Sequence, residues 1–190
     1  MRVKVAVLVS GGGTNLQALL DANLQHGEIA FVLSNRKAAY ALERARARGV
    51  ETAVLSNVME PDPVRRDEKL LEMLRARGIQ VVALAGYLGI LGEKTVSAYE
   101  NRIVNIHPAL IPSFCGKGYY GLRVHEAALA RGVKVTGATA HLVNLGVDEG
   151  PILLQKAVDV LPGDTPETLQ KRVMEEAEWK LLPAAVDMVC

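Results

Sequence analysis

Apolar residues run almost unbroken through Val3-Lys4-Val5-Ala6-Val7-Leu8-Val9 and stop at Ser10-Gly11-Gly12-Gly13. A short, largely β-branched run that ends at a glycine turn predicts a buried strand. Beyond the turn the period changes. Leu16, Leu19 and Leu20 recur at helical spacing, with Thr14 or Asn15 able to cap the first turn. Ile29 to Leu33 is the next strand, stopped by Ser34-Asn35; Ala38 to Arg48 is a helix stopped by Gly49; Thr52 to Leu55 is again a strand. Pro61 and Pro63 open a helix with its body at Val64 to Arg77, which Gly78 ends. Ile79 to Ala85 is strand-like throughout. This alternation predicts βαβ units on a parallel sheet, with right-handed crossovers placing helices on both faces.

The second half has a different rhythm. Arg102 to Ile106 forms a strand, and a segment punctuated by proline and glycine follows from Pro108 to Gly121. Long irregular loops in compact domains are usually functional. Val133 to Val143 and Ile152 to Val160 are strands, joined through the acidic turn Asp148-Glu149-Gly150-Pro151, and a final helix covers Pro166 to Leu182. The predicted fold class is α/β: a three-layer open sheet, mostly parallel and Rossmann-like in its N-terminal half, with an antiparallel addition in its C-terminal half. Internal repeats, low-complexity segments and a linker are not evident, so residues 1–190 are expected to form a single domain.

Composition sharpens this picture. Apolar residues make up 49% of the 190 and aromatics 4%, so the core must be mostly aliphatic, as parallel strands buried on both faces require. The 22 basic residues nearly cancel the 21 acidic ones, which leaves no electrostatic footprint for nucleic acid or an anionic membrane. The chain starts directly in a strand pattern, without a signal-peptide core, and no apolar run is long enough to span a bilayer. Cys115 and Cys190 lack any CxxC or paired-ligand context, so two thiols in a reducing cytoplasm are expected, with no structural zinc.

Three segments carry candidate chemistry. Gly11-Gly12-Gly13-Thr14-Asn15 sits at a helix N-terminus, where free N–H groups and the helix dipole favour an anion. It is neither a Walker loop nor a dinucleotide fingerprint, since Leu16 stands where the third glycine would be. A single phosphate fits; the plainer alternative is a tight β-to-α turn. In Asn105-Ile106-His107-Pro108, residues two apart on a strand face the same side, so Asn105 and His107 project together. Pro108 ends the strand and leaves His107 at the edge where open α/β sheets bind ligands. An amide beside an imidazole can stabilise an oxyanion and move protons near neutral pH. Taken alone, such a histidine is more often a satisfied polar residue. His141 and Asp148 form the other cluster; a carboxylate there can orient a histidine or a water, or simply be a solvated turn. A metal triad lacks any supporting HxH, HxxH or HExxH spacing, so no metal is expected. Arg44 to Arg48, Tyr119-Tyr120 and Trp179 read as a solvated helix end, loop packing, and core or interface.

Together, Ser10-Gly11-Gly12-Gly13-Thr14-Asn15-Leu16-Gln17-Ala18-Leu19, Asn105-Ile106-His107-Pro108-Ala109-Leu110-Ile111-Pro112 and Asp148-Glu149-Gly150-Pro151-Ile152-Leu153-Leu154-Gln155 resemble the phosphoribosylglycinamide formyltransferase (glycinamide ribonucleotide transformylase) family of folate-dependent formyltransferases. The resemblance runs from about Val3 to about Pro183, in the same motif order. It implies 10-formyltetrahydrofolate as cosubstrate and the amine of glycinamide ribonucleotide as acceptor, in de novo purine synthesis. The resemblance makes Asn105, His107 and Asp148 catalytic, with Asp148 keeping His107 charged. Backbone amides of Gly13, Thr14 and Asn15 would hold the phosphate and Glu178 the ribose. The pterin would lie against Leu88, Gly89, Ile90 and Leu91, with Asn105, Val143 and Val147 completing the folate site. Residues from about 1 to 100 then form a phosphate-binding half, and those from about 101 to 190 a catalytic and folate-binding half. A monomer or a homodimer would serve.

The sequence departs from that family at four places. Gly89 stands where many members carry an arginine in the pterin wall. Around Pro61-Asp62-Pro63-Val64-Arg65-Arg66 the family's Ser-Arg-Glu segment is missing, which leaves Arg65 as a candidate for the folate tail. Trp179 replaces a histidine beside Glu178, after a helix one residue longer than usual. The loop from Phe114 to Gly121 is variable. Two relatives share the trio: methionyl-tRNA formyltransferase, expected to need a further C-terminal RNA-binding domain, and formyltetrahydrofolate hydrolase, expected to need an N-terminal regulatory one. A rival of another class is a non-catalytic sugar-phosphate-binding module that keeps only the glycine loop.

Overall fold

A computed structural model describes residues 2–190. Its strands are β1 (Val3–Val9), β2 (Gly27–Ser34), β3 (Glu51–Val54), β4 (Val81–Leu84), β5 (Ile103–His107), β6 (Val135–Leu142) and β7 (Ile152–Asp159). They form one seven-stranded sheet in the order β3-β2-β1-β4-β5-β6-β7. The pairs from β3 through β5 are parallel, whereas β5–β6 and β6–β7 are antiparallel. This is the predicted three-layer, mostly parallel sheet with its antiparallel addition.

The helices are α1 (Thr14–Asp21), α2 (Ala41–Ala47), α3 (Pro63–Ala76), α4 (Glu93–Ala98), α5 (Leu122–Arg131), α6 (Pro166–Val173) and α7 (Trp179–Val189). β1 lacks polar alternation because it is buried on both sides. Val5, Val7 and Val9 pack in one core with Leu16, Leu182 and Val186, while Ala6 and Leu8 pack in the other with Leu70, Leu74 and Phe31.

Several boundaries differ from expectation. The helix predicted from Ala38 starts at Ala41, because the Arg36–Ala39 and Tyr40 backbone groups make turn hydrogen bonds first. Helices α4 and α5 were not anticipated; both are short, and α5 directly follows the long loop. The single final helix predicted to end at Leu182 is instead α6, one π-helical turn over Met174–Glu178, and α7, which continues to Val189 with Pro183 inside it. Pro183 lies inside this continuous helix, where its missing N–H leaves one i→i−4 bond unmade. A π turn accommodates one more residue than a regular α-helical turn would.

Candidate active site

β5 is the last parallel strand, beside the antiparallel strand β6, and its carboxyl end lies on the edge where open α/β sheets bind ligands. Asn105 and His107 leave β5 on the same side, and β6 brings His141 opposite Asn105. The Asn105 Nδ2 group donates to His141 Nε2 at 3.1 Å and lies 3.5 Å from Asp148 Oδ1. His141 Nδ1 donates to the Leu142 carbonyl at 2.8 Å, leaving Nε2 as the acceptor. Asp148, at φ 59°, turns its carboxylate back into the cluster. Its Oδ2 accepts from the Gly116 N–H at 3.0 Å and lies 3.5 Å from His107 Nδ1.

His107 Nε2 donates to the Phe114 carbonyl at 2.8 Å, so in the neutral ring the lone pair is on Nδ1, facing Asp148. Burial raises the Asp148 carboxyl, but His141, the Gly116 N–H and the attraction of His107 in its protonated form together bring it below the ordinary carboxylate value. Burial also depresses His107 and outweighs the upward pull of Asp148 and of Phe114. Asp148 thus acts on His107 in the expected direction, while burial sets the net shift. Desolvation of a ring 4% exposed exceeds an attraction acting across 3.5 Å.

These side chains line a cleft of about 670 Å³. Leu88, Gly89, Ile90 and Val147 form part of its wall, and a contiguous slot of about 140 Å³ adds Leu91 and Val143 beside Asn105, His141 and Asp148. A Cβ on Gly89 would come within 2.6 Å of the Tyr87 ring, so the tyrosine occupies the space a longer residue would need. Arg65 is exposed and lines neither space.

At the other end, Gly13 caps α1 with φ 77° and packs so closely that a Cβ would meet Ala41 at 2.6 Å. Neither Gly13 nor Thr14 lines the cleft, whereas Asn15 does. The Asn15 Nδ2 group donates to Glu178 Oε2 at 2.7 Å, and the π turn delivers Glu178 to that contact. The cleft wall also includes His125 from α5 and Arg36 after β2, neither of which was singled out in the sequence. His125 is fully buried, and neither ring nitrogen has a hydrogen-bond partner among the described residues. The sole signal for it lay in the helix that the pattern did not reveal. No group of three or more His, Cys, Asp or Glu arranged for a metal occurs among the described residues, and no helix is long and apolar enough to cross a membrane.

A polar cluster at the carboxyl end of a sheet strand, an apolar slot beside it and a glycine turn at a helix N-terminus define the site of an α/β enzyme. The particular family follows from comparison: the chain belongs to the formyl transferase family, which it matches over residues 3–186. It is 41% identical over 193 residues to the chloroplastic phosphoribosylglycinamide formyltransferase of Arabidopsis thaliana, covering 100% of this chain and 66% of that one. It is also 41% identical over 191 residues to the human trifunctional purine biosynthetic protein adenosine-3, covering 99% of this chain. The chain thus spans 66% and 18% of the lengths of those two relatives. The crystal structure of glycinamide ribonucleotide transformylase 1 from Symbiobacterium toebii superposes with a TM-score of 0.91 at 44% identity, covering 98% of this chain and 86% of that one.

Proposed function

We propose that this chain acts in the cytoplasm as one formyltransferase domain. It transfers the formyl group of 10-formyltetrahydrofolate to the amine of glycinamide ribonucleotide, yielding formylglycinamide ribonucleotide and tetrahydrofolate. The observation that carries this reading is the linked cluster of Asn105, His107, His141 and Asp148, open to a cleft with an apolar slot on one side and the Asn15–Glu178 pair on the other. The apolar slot suits the flat pterin. The N-terminus of α1 suits the phosphate through the Gly13, Thr14 and Asn15 amides, and Glu178 suits the ribose.

In this reading the neutral amine attacks the formyl carbon and a C–N bond forms. The Asn105 amide, already pointed into the cluster, donates to the developing oxyanion. His107 Nδ1 is unprotonated and takes the proton released by the amine, while the Asp148 carboxylate stabilises the resulting imidazolium. The same proton passes to the folate nitrogen as its bond to the formyl carbon breaks, so no net proton is gained or lost. Neither metal, nucleic acid nor membrane enters, and a monomer or a homodimer would serve equally.

The test is deformylation of the folate, followed by absorbance, with and without glycinamide ribonucleotide. Turnover is expected only with the amine. Turnover without it would indicate a hydrolase, and none with it would leave a sugar-phosphate-binding module. His107→Ala should lower kcat at least about 100-fold with a smaller change in KM; an unchanged kcat would remove His107 from the mechanism.

A further inference from the structure

Two buried polar side chains distant in sequence meet at the sugar end of the cleft. Asn15 is 8% and Glu178 5% exposed, and the Asn15 Nδ2 group donates to Glu178 Oε2 at 2.7 Å. Asn15 comes from the first turn of α1 and Glu178 from the π turn, so neither element makes the contact alone. Asn15 Oδ1 is buried without a partner among the described residues. Both residues line the cleft that holds the catalytic cluster.

We propose, resting on the acceptor assignment above, that the Asn15 side chain is a positioning residue: its amide N–H fixes Glu178 as a charged, oriented carboxylate that accepts the sugar hydroxyls of the phosphoribosyl substrate. This role is separate from any contact between the Asn15 backbone N–H and phosphate. A carboxylate taken out of water prefers to be neutral, and a neutral acid is a poorer acceptor for hydroxyls. Burial pushes Glu178 up to about 7, and the Asn15 amide is the one group that opposes it. The other charged and titratable side chains of the cleft wall are Arg36, His107, Lys117, His125 and Asp148, and none of them hydrogen-bonds Glu178 among the described residues. On its own helical segment Glu175, Glu176 and Lys180 are exposed. The side-chain amide therefore draws Glu178 toward its charged form against the burial that opposes it.

The experiment compares wild type, Asn15→Leu, Glu178→Gln and the double variant. The dissociation constant for glycinamide ribonucleotide is measured by calorimetry from pH 5.5 to 8.5, so that the ligand's own ionisations cancel between variants. Asn15→Leu is expected to weaken binding about tenfold at pH 7 and to move the Glu178-dependent limb about one unit toward alkaline pH. Glu178→Gln should abolish that limb. The double variant should bind no worse than Glu178→Gln alone, because the amide acts only through the carboxylate. Additive losses, or an unmoved limb in Asn15→Leu, would overturn the proposal. In parallel, the Glu178 carboxyl carbon is titrated by NMR in the ligand-free protein, wild type and Asn15→Leu. If wild type fails to bind the ribonucleotide, the acceptor assignment fails. The NMR titration then still reports whether Asn15 sets the charge of Glu178, and equal midpoints in the two proteins would sink that claim by itself.

Discussion

The histidines of the cleft differ in what surrounds them, and protonation should separate them. In the proposed mechanism His107 accepts the proton beside the Asp148 carboxylate, so kcat should fall as pH drops through its depressed pKa. Asp148 holds that value up, so Asp148→Asn should lower kcat and also move the acid limb of its pH profile about one unit lower. A limb set by the substrate amine would stay in place, and loss of activity on the alkaline side would instead mean a charged His107. His125 gives a stability test. Burial, with repulsion from His107 when that ring is protonated second, holds it at about 4 against 6.5 for an ordinary imidazole. Between these values the unfolded chain binds a proton that the folded one refuses, so stability is present above pH 6.5 and lost as pH falls toward 4. His125→Leu removes that loss and a buried unpaired group, so the melting temperature should drop several degrees less than wild type between pH 7 and pH 4.5. Equal drops would mean that His125 titrates normally.

Among the elements, legibility followed the hydrophobic period. Strands β1 and β4 showed because burial on both faces leaves a continuous apolar run, whereas α4 and α5 did not. In α4 only Thr95 and Val96 are buried, and in α5 the buried stripe is Val124, His125 and Ala128, so a period of 3.6 has almost nothing apolar to mark it. The same hidden stripe concealed His125. Asn105 and His107 were legible as a pair because strand alternation fixes their side; their link to Asp148 depends on a loop conformation with positive φ that no local pattern encodes. The π turn is the clearest case of an element that counting alone misplaces. One residue too many before Glu178 would rotate a regular helix by about 100° and carry the carboxylate away from Asn15. The turn absorbs that residue and keeps the 2.7 Å contact. Deleting the exposed Glu176 should therefore give a continuous α-helix with Glu178 still facing Asn15, a melting temperature no lower than wild type, and acceptor KM within about threefold. Deleting Lys180, beyond the turn, keeps the π bulge and shifts the apolar face of α7, and should destabilise markedly. If the Glu176 deletion is the more damaging of the two, the turn is not a removable insertion.

Across the whole molecule, the phosphate-holding and catalytic halves suggested by the motif order are joined too closely to work as separate pieces. Strand β5 from the second half pairs in parallel with β4 from the first, so the sheet has no seam at the midpoint. Helix α7 closes the same link from outside: it packs against α1 as well as β4, β5, β6 and β7, and Asp187 on it accepts from the Gln25, His26 and Gly27 N–H groups at the start of β2. Leu181, Leu182, Ala185 and Val186 share one apolar core with Val5, Val7 and Leu16. A division near residue 100 would expose that core and the β4 edge together, and neither fragment could bury them alone. Two-state unfolding is the expected consequence. The single tryptophan, Trp179, stands at the start of α7 and reports the C-terminal segment, while far-UV circular dichroism reports every helix. Urea transitions followed by the two signals should coincide in midpoint and slope. Val7→Ala in β1 should lower both midpoints equally, although the substitution lies in the other half, because it cuts methyl groups from the shared core. A tryptophan transition that precedes the helical one, or that ignores Val7→Ala, would show that α7 and its half fold apart from the glycine turn they help to position.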